Sequence, residues 1–150
     1  MPYIVWHDNL LSSVPLFTYL RSISIGATGT ASGRSGINKE LVNSKAAEKR
    51  KDSLKWGSLK AIPSPDNQVL QLSWKDNGLV LFLTTTHTAD QAELRLRRRP
   101  SETSTSAKTS RAEFGNQLRK LLEIPTFVDH YNYNMGAIDR ADQLLSLIHI

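Results

Sequence analysis

Asp129-His130-Tyr131-Asn132-Tyr133-Asn134-Met135-Gly136-Ala137-Ile138-Asp139-Arg140-Ala141-Asp142-Gln143 is the stretch on which the reading of this chain turns. It places two carboxylates, Asp139 and Asp142, three residues apart on a predicted helix, just after an aromatic, Asn-rich turn. Gly136 supplies the flexible turn in this reading, and the helix starts near Ala137 or Ile138. A third acid, Asp8, follows the apolar run Tyr3-Ile4-Val5-Trp6 at the other end of the chain. Acids far apart in sequence are what a fold must collect to hold divalent metal near a phosphate. A plainer reason for Asp139 stands beside this one, because an acid in a helix's first turn gains about 0.3–1 kcal/mol from the dipole.

Working outward, the composition frames that reading. The chain has 150 residues, enough for a single core. Its apolar fraction is 39% and its mean hydropathy −0.35, so part of the chain is expected to stay solvated. With no Cys, a disulfide framework and a thiolate zinc site are both excluded. No apolar run approaches the roughly 18 residues of a membrane span, and the first residues lack a signal-peptide pattern. The expectation is a soluble, intracellular protein.

The net charge of +5 is unevenly spread. From Arg34 to Lys60 eight basic residues face three acids, and from Glu93 to Lys120 the count is again eight against three. The rest of the chain, which holds Asp8 and the Asp139 segment, carries three basic residues against eight acids. Positive segments beside an acidic remainder suit a phosphate-tracking region next to a cation site. Solvated helix and strand faces would give the same charge runs, and the sequence leaves both readings open.

Local patterns place the motifs. Tyr3–Trp6 is a predicted buried strand, and Ser13 to about Arg21 an amphipathic helix with Ser12 or Ser13 as cap and Pro15 in its first turn. Gly26-Ala27-Thr28-Gly29-Thr30 is a predicted core strand. Asn38 to Lys51 is a predicted polar helix, and Lys55 to Ile62 a strand. The runs Val69–Trp74 and Leu79–Leu83, separated by Lys75-Asp76-Asn77-Gly78, form the best hairpin signal. Thr84 to His87 continues extended, and Arg97-Arg98-Arg99-Pro100 ends the ordered pattern. Ser101 to Ser110 is a predicted mobile Ser/Thr-rich loop, and from Arg111 the chain is expected to be helical or irregular until Pro125. His7, His87, His130 and His149 show no zinc-ligand spacing and are expected in surface or core roles. The three tryptophans read as strand packing.

These blocks, in this order, resemble the transposase domain of piggyBac-type elements, a DDE/DDD family with an RNase H-like catalytic fold. Trp6-His7-Asp8-Asn9-Leu10-Leu11-Ser12-Ser13-Val14-Pro15-Leu16 is similar to the family's aspartate-asparagine block. Gly26–Thr30 is similar to the following strand, Gly36–Leu41 to the start of the insertion region, and Leu79–His87 to a later strand. Tyr131–Gln143 is the most specific match. Ala137 departs from the usual Gly-Gly pair, and Leu10-Leu11 from a more aromatic pair.

The resemblance implies an α/β fold, a partial RNase H-like core made of its later strands and helices, interrupted by a β-containing insertion. Residues 1–31 would carry the second-aspartate strand, helix and following strand. Residues 32–124 would be the basic insertion with its hairpin and Ser/Thr-rich loop, and 125–150 the third-aspartate helix. Asp8 falls on the family's second catalytic aspartate, Asp139 on the third, and Asp142 on the nearby acid that faces the metal site. The implied cofactor is Mg2+, two ions per site. The implied partner is DNA, as transposon ends and TTAA targets, with Arg34, Lys39, Lys49, Arg50, Lys51, Arg97, Arg98 and Arg99 as its contacts. A homodimer and a nuclear location are further implications. The family's first catalytic aspartate lies upstream of Tyr3, so the chain is expected to be a fragment that neither cleaves nor joins DNA alone. Its half-core is expected to leave apolar faces uncovered. Two alternatives are a domesticated, non-catalytic DNA-binding or interaction module and an unrelated metal-dependent phosphodiesterase.

Overall fold

The computed structural model describes the backbone of residues 3–101 and 108–148, and their side chains other than those of 108, 137–143 and 145–148. The chain opens with β1 (Tyr3–His7), α1 (Val14–Ser22), β2 (Ile25–Thr30) and α2 (Lys39–Arg50). Then follow β3 (Leu59–Pro63), β4 (Leu70–Lys75), β5 (Leu79–Thr84) and β6 (Ala92–Arg98). It closes with α3 (Lys108–Phe114), β7 (Arg119–Pro125) and α4 (Thr126–Ile148).

Five strands form one sheet in the order β1-β2-β5-β4-β3, and β6 and β7 form a separate antiparallel ribbon. β1 and β2 are parallel, joined through α1, while β2 to β3 alternate in direction. Strands drawn from 32–124 therefore extend the same sheet that Tyr3–Thr30 begins, with Thr28–Thr30 of β2 on Phe82–Thr84 of β5.

Pleating sorts the side chains of β4 and β5 to two faces. Leu81 and Leu83 join Phe17 of α1, Leu41 of α2, Ala27 and Val69 in one core cluster. Leu72, Trp74 and Phe82 point the other way and pack with Ile124 of β7 and Phe127 and Val128 of α4. The sheet is thus a middle layer, with α1 and α2 on one side and α4 with the ribbon on the other. Edge-to-face contact of Phe82 with Phe127, ring centroids 5.1 Å apart, seats α4 on the sheet.

Local chemistry explains the boundaries. Ser13 caps α1 by accepting from the Leu16 N–H at 3.1 Å, and Pro15 sits where its missing N–H is harmless. Asn38 caps α2 through Glu40 N–H at 2.8 Å. The predicted hairpin is present, closed by Asp76 N–H donating to the Gly78 carbonyl at 3.0 Å.

Several expectations are corrected. Tyr3–Trp6, read as a buried strand, lies in β1, none of whose residues is fully buried. Arg119–Pro125, read as helical or irregular, is strand β7, and Ala92–Arg98, read as no element at all, is its partner β6. In β7 the side chains of Leu122 and Ile124 alternate inward, a short period-2 signal that the neighbouring charges obscure. Gly136 is no turn, because α4 runs unbroken from Thr126 through it. Twenty-three residues of continuous hydrogen bonding outweigh one Gly, which costs about 1 kcal/mol in a helix. In the predicted Ser101–Ser110 loop, Lys108–Ser110 belong to α3, and residues 102–107 lie outside the described residues.

Among the described residues β1 pairs only with β2, so its other edge is open, with Tyr3 and Ile4 exposed. The ribbon's outer side is also apolar and uncovered: Leu94, Leu96 and Leu121 are each more than half exposed.

Candidate catalytic and nucleic-acid site

Alternation along β1 decides which way its residues face. Val5 packs against the α1–α2 core and His7 meets the Phe17 ring edge-on at 5.8 Å. Trp6 therefore faces the α4 layer, where its ring lies 5.7 Å from that of His87. Asp8 has Trp6's parity and stands just beyond the end of the strand.

A tight turn fixes Asp8. Its Oδ1 accepts from Leu10 N–H at 3.0 Å, and its carbonyl accepts from Ser12 N–H at 3.1 Å and Ser12 Oγ at 2.9 Å. Gly29 of β2 lies against this turn so closely that an added Cβ would overlap the His7 carbonyl and the Ser12 hydroxyl. Here glycine is needed for close approach. The second carboxylate oxygen of Asp8 has no hydrogen-bond partner among the described residues.

Parallel register continues the geometry. The register ends with His7 opposite Gly29, so Asp8 follows the last paired residue of β1 as Thr30 follows Gly29 in β2. Thr30 Oγ1 lies 3.2 Å from the hydroxyl of Tyr131 on α4. α4 begins over β5 through Phe127, passes β2 at Tyr131 and reaches β1. The backbone of Asp139 and Asp142 belongs to the later part of this helix, and their side chains lie outside the described residues. Among the described residues no group of three or more His, Cys, Asp or Glu side chains could hold a metal ion.

The predicted DNA contacts are dispersed. Arg34 is exposed and lines a groove of about 500 Å³ with Asn9, Leu10, Ser12 and Ser32, next to the Asp8 turn. Lys39, Lys49 and Arg50 are exposed on α2, followed by exposed Lys51. Arg97 turns inward, pairing with Asp76 Oδ2 at 2.5 Å and stacking over Trp74 at 5.9 Å. That commitment gives it a packing role. Arg98 is exposed, and Arg99 donates to the Gly115 carbonyl at 3.1 Å.

Two constellations were not foreseen. The first is a buried ion triad on the α2 side of the sheet: Lys75 of β4 bonds Glu48 Oε2 at 2.8 Å and also pairs with Asp52. Ser53 and Leu54 N–H groups donate to Glu48, and Thr109 of α3 donates to Asp52 through N–H at 3.1 Å and Oγ1 at 3.0 Å. Burial opposes charge on all three. The hydrogen bonds and opposite charges outweigh it, so both carboxyls titrate below, and the ammonium above, their ordinary values. The second is His87 Nε2 against His130 Nδ1 at 3.0 Å. Burial first, and then the neighbouring His130, push the His87 pKa down. Neither group shows a sequence signal, since the partners come from segments far apart in the chain.

The sequence profile of the Transposase IS4 family matches residues 1–149. The chain belongs to that family of DDE-type transposases. Among solved structures, piggyBac transposase in a synaptic complex with hairpin DNA, determined by cryo-electron microscopy, is 20% identical with a TM-score of 0.55. The likeness covers 95% of this chain and 24% of that one. It supports the α/β, RNase H-like reading of the core. No curated protein sequence matches the chain.

Proposed function

We propose that this chain supplies acidic ligands to the metal-dependent DNA strand-cleavage and strand-transfer site of a piggyBac-type transposase. The observation that carries the reading is the meeting of the β1 end with α4. α4, in which Asp139 and Asp142 stand, contacts β1, and its Tyr131 touches Thr30, the residue after the Gly29 that pairs with His7. Asp8 and Asp139 are the catalytic acids in this reading, and Asp142 is a further metal ligand.

Asp8 fits a hard cation, since one carboxylate oxygen is steadied by Leu10 N–H while the other has no partner among the described residues. Two Mg2+ ions, when bound, would activate a water or 3′-hydroxyl and stabilise the leaving oxygen of a phosphodiester. The Asp8 turn and Gly29 hold the carboxylate at the strand end, and Arg34 beside the adjoining groove attracts a DNA phosphate. Transposon ends, a TTAA target, a homodimer and a nuclear location belong to the same proposal.

With its outer edge unpaired among the described residues, β1 is held from one side, and residues 1–150 by themselves are expected to bind duplex DNA without cutting it. The test is anisotropy with labelled duplex across a salt series, paired with a Mg2+-dependent nicking assay. Salt-sensitive binding without nicking is expected. Absence of binding at low salt would overturn the DNA reading, and nicking that Asp8→Asn abolishes would overturn the claim of inactivity.

A further inference from the structure

His87 and His130 stand 43 residues apart in sequence, yet His87 Nε2 and His130 Nδ1 face each other at 3.0 Å. The rings are inclined at 70° with centroids 5.2 Å apart. On its far side, His87 Nδ1 lies 2.8 Å from Thr86 Oγ1 and 3.2 Å from Thr28 Oγ1. A hydroxyl clamp of this kind fixes ring orientation, as outer partners do for metal-bound imidazoles. If the threonines take the Nδ1 proton, Nε2 turns a lone pair toward His130.

Two lone pairs this close repel unless something positive lies between them. A shared proton is one solution. A divalent transition metal is the other, and the distance suits it. With metal–nitrogen bonds of about 2.0–2.1 Å, nitrogens at right-angle to tetrahedral positions stand about 2.9–3.4 Å apart. Small ring rotations bring both lone pairs onto one ion. His130 is exposed, so water can fill the remaining positions. Asp129, the nearest acid in sequence, is engaged by Arg95 in a two-pronged pair at 2.7 and 2.8 Å.

We propose that His87 and His130 form a two-histidine site for a borderline divalent metal such as zinc, clasping the segment after β5 to α4. Imidazole ligands suit zinc, copper or nickel, whereas magnesium prefers oxygen. Its nitrogen ligands set this site apart in metal preference from the carboxylate site proposed for Mg2+. With two protein ligands it is an adjustable clip, unlike the closed four-ligand zinc sites of fixed modules. It tethers the helix that carries Asp139.

The test uses the untagged, chelator-stripped full chain titrated with ZnCl2 at pH 7.5 by calorimetry, with thermal melting alongside. One zinc per chain and a raised midpoint that is reversed by EDTA and persists in excess MgCl2 are expected. His130→Ala, at an exposed position, and His87→Ala should each weaken uptake at least tenfold, while Asp8→Asn leaves it unchanged. No zinc uptake, or equal uptake by folded His130→Ala, would overturn the proposal. Uptake lost in Asp8→Asn but kept in His130→Ala would overturn it too, by moving zinc to the carboxylates. None of these readouts depends on DNA.

Discussion

Lys75→Met is the sharpest perturbation of the fold. The Lys75 side chain is 1% exposed, and those of Glu48 and Asp52 are 6% and 10% exposed. Met fills nearly the same volume, so the change removes charge and leaves packing largely intact. Two carboxylates then remain buried beside α2 without a cation. Breaking a buried pair by removing one partner costs about 3–5 kcal/mol. A domain's whole stability is roughly 5–15 kcal/mol, so the loss is a large share of it. Asp52 also anchors α3 through Thr109, and the damage should reach that helix. Urea unfolding followed by tryptophan fluorescence suits the measurement, because Trp74 is the residue before Lys75 and packs on Trp56 at 5.6 Å. Replacing Glu48 by Gln and Asp52 by Asn in the Lys75→Met background should recover much of the loss, since no bare charge is then buried.

The pH dependence has a definite sign. Glu48 and Asp52 are depressed in the folded chain, so their contribution is present above the ordinary carboxylate values near pH 4. It is lost as pH falls through their lower folded values. Lys75 is raised, so its contribution is present below the ordinary lysine value and is lost as pH climbs past the raised one. Lys75→Met should flatten both limbs. A cost below about 1 kcal/mol with unchanged acid and alkaline limbs would refute the reasoning about the triad.

Other expectations are equally direct. Gly29→Ala forces a methyl onto backbone and should lower stability by about 1–3 kcal/mol or more; a melting temperature equal to wild type would show that the Asp8 turn is slack. Phe127→Ala opens the α4 side of the core and should cost about 3–5 kcal/mol by urea unfolding, with a shift under 1 kcal/mol counting against the assigned seat of α4. His87 is depressed, so its contribution is present above the ordinary histidine value near 6.5 and is lost as pH falls through the lower folded value. In chelator, wild type should lose stability from pH 7 to 5 more steeply than His87→Gln, and parallel curves would refute this. Arg98→Ala should reduce the salt slope of DNA binding by about 1, while Arg97→Ala should mainly lower the melting temperature; the reverse pattern would contradict the inward placement of Arg97.

Strand β1, helices α1 and α2, strand β2 and the β4–β5 hairpin were legible because each carries its own local signal. Ser13 and Asn38 cap, Pro15 sits in a first turn, and Leu79–Leu83 is long, apolar and next to Asn-Gly. The β6–β7 ribbon was not legible, since Arg95, Arg97, Arg98 and Arg119 mask a period of two that only pairing reveals. Gly136 misled for the opposite reason, a strong local preference overruled by a long helix docked through Phe127 and Tyr131. Asp8 could be picked out as an acid at a strand end. The Lys75 triad and the His87–His130 pair could not, because neither spacing nor composition records which distant segments a sheet brings together.

The position of β1 ties the acid chemistry to the rest of the fold. Asp8 stands at the end of the outermost strand, fixed on one flank by the Ser12 turn and by Gly29 of β2. The opposite flank, with exposed Tyr3 and Ile4, is unpaired among the described residues and offers backbone groups of the kind that accept another strand. A two-metal site tolerates only about half an ångström of play in its carboxylates. A strand added to that edge would supply the missing constraint and sit directly beside Asp8. If Asp8 serves as proposed, pairing of the β1 edge and competence for strand cleavage should therefore appear together, since the backbone contacts that complete the sheet would also steady Asp8.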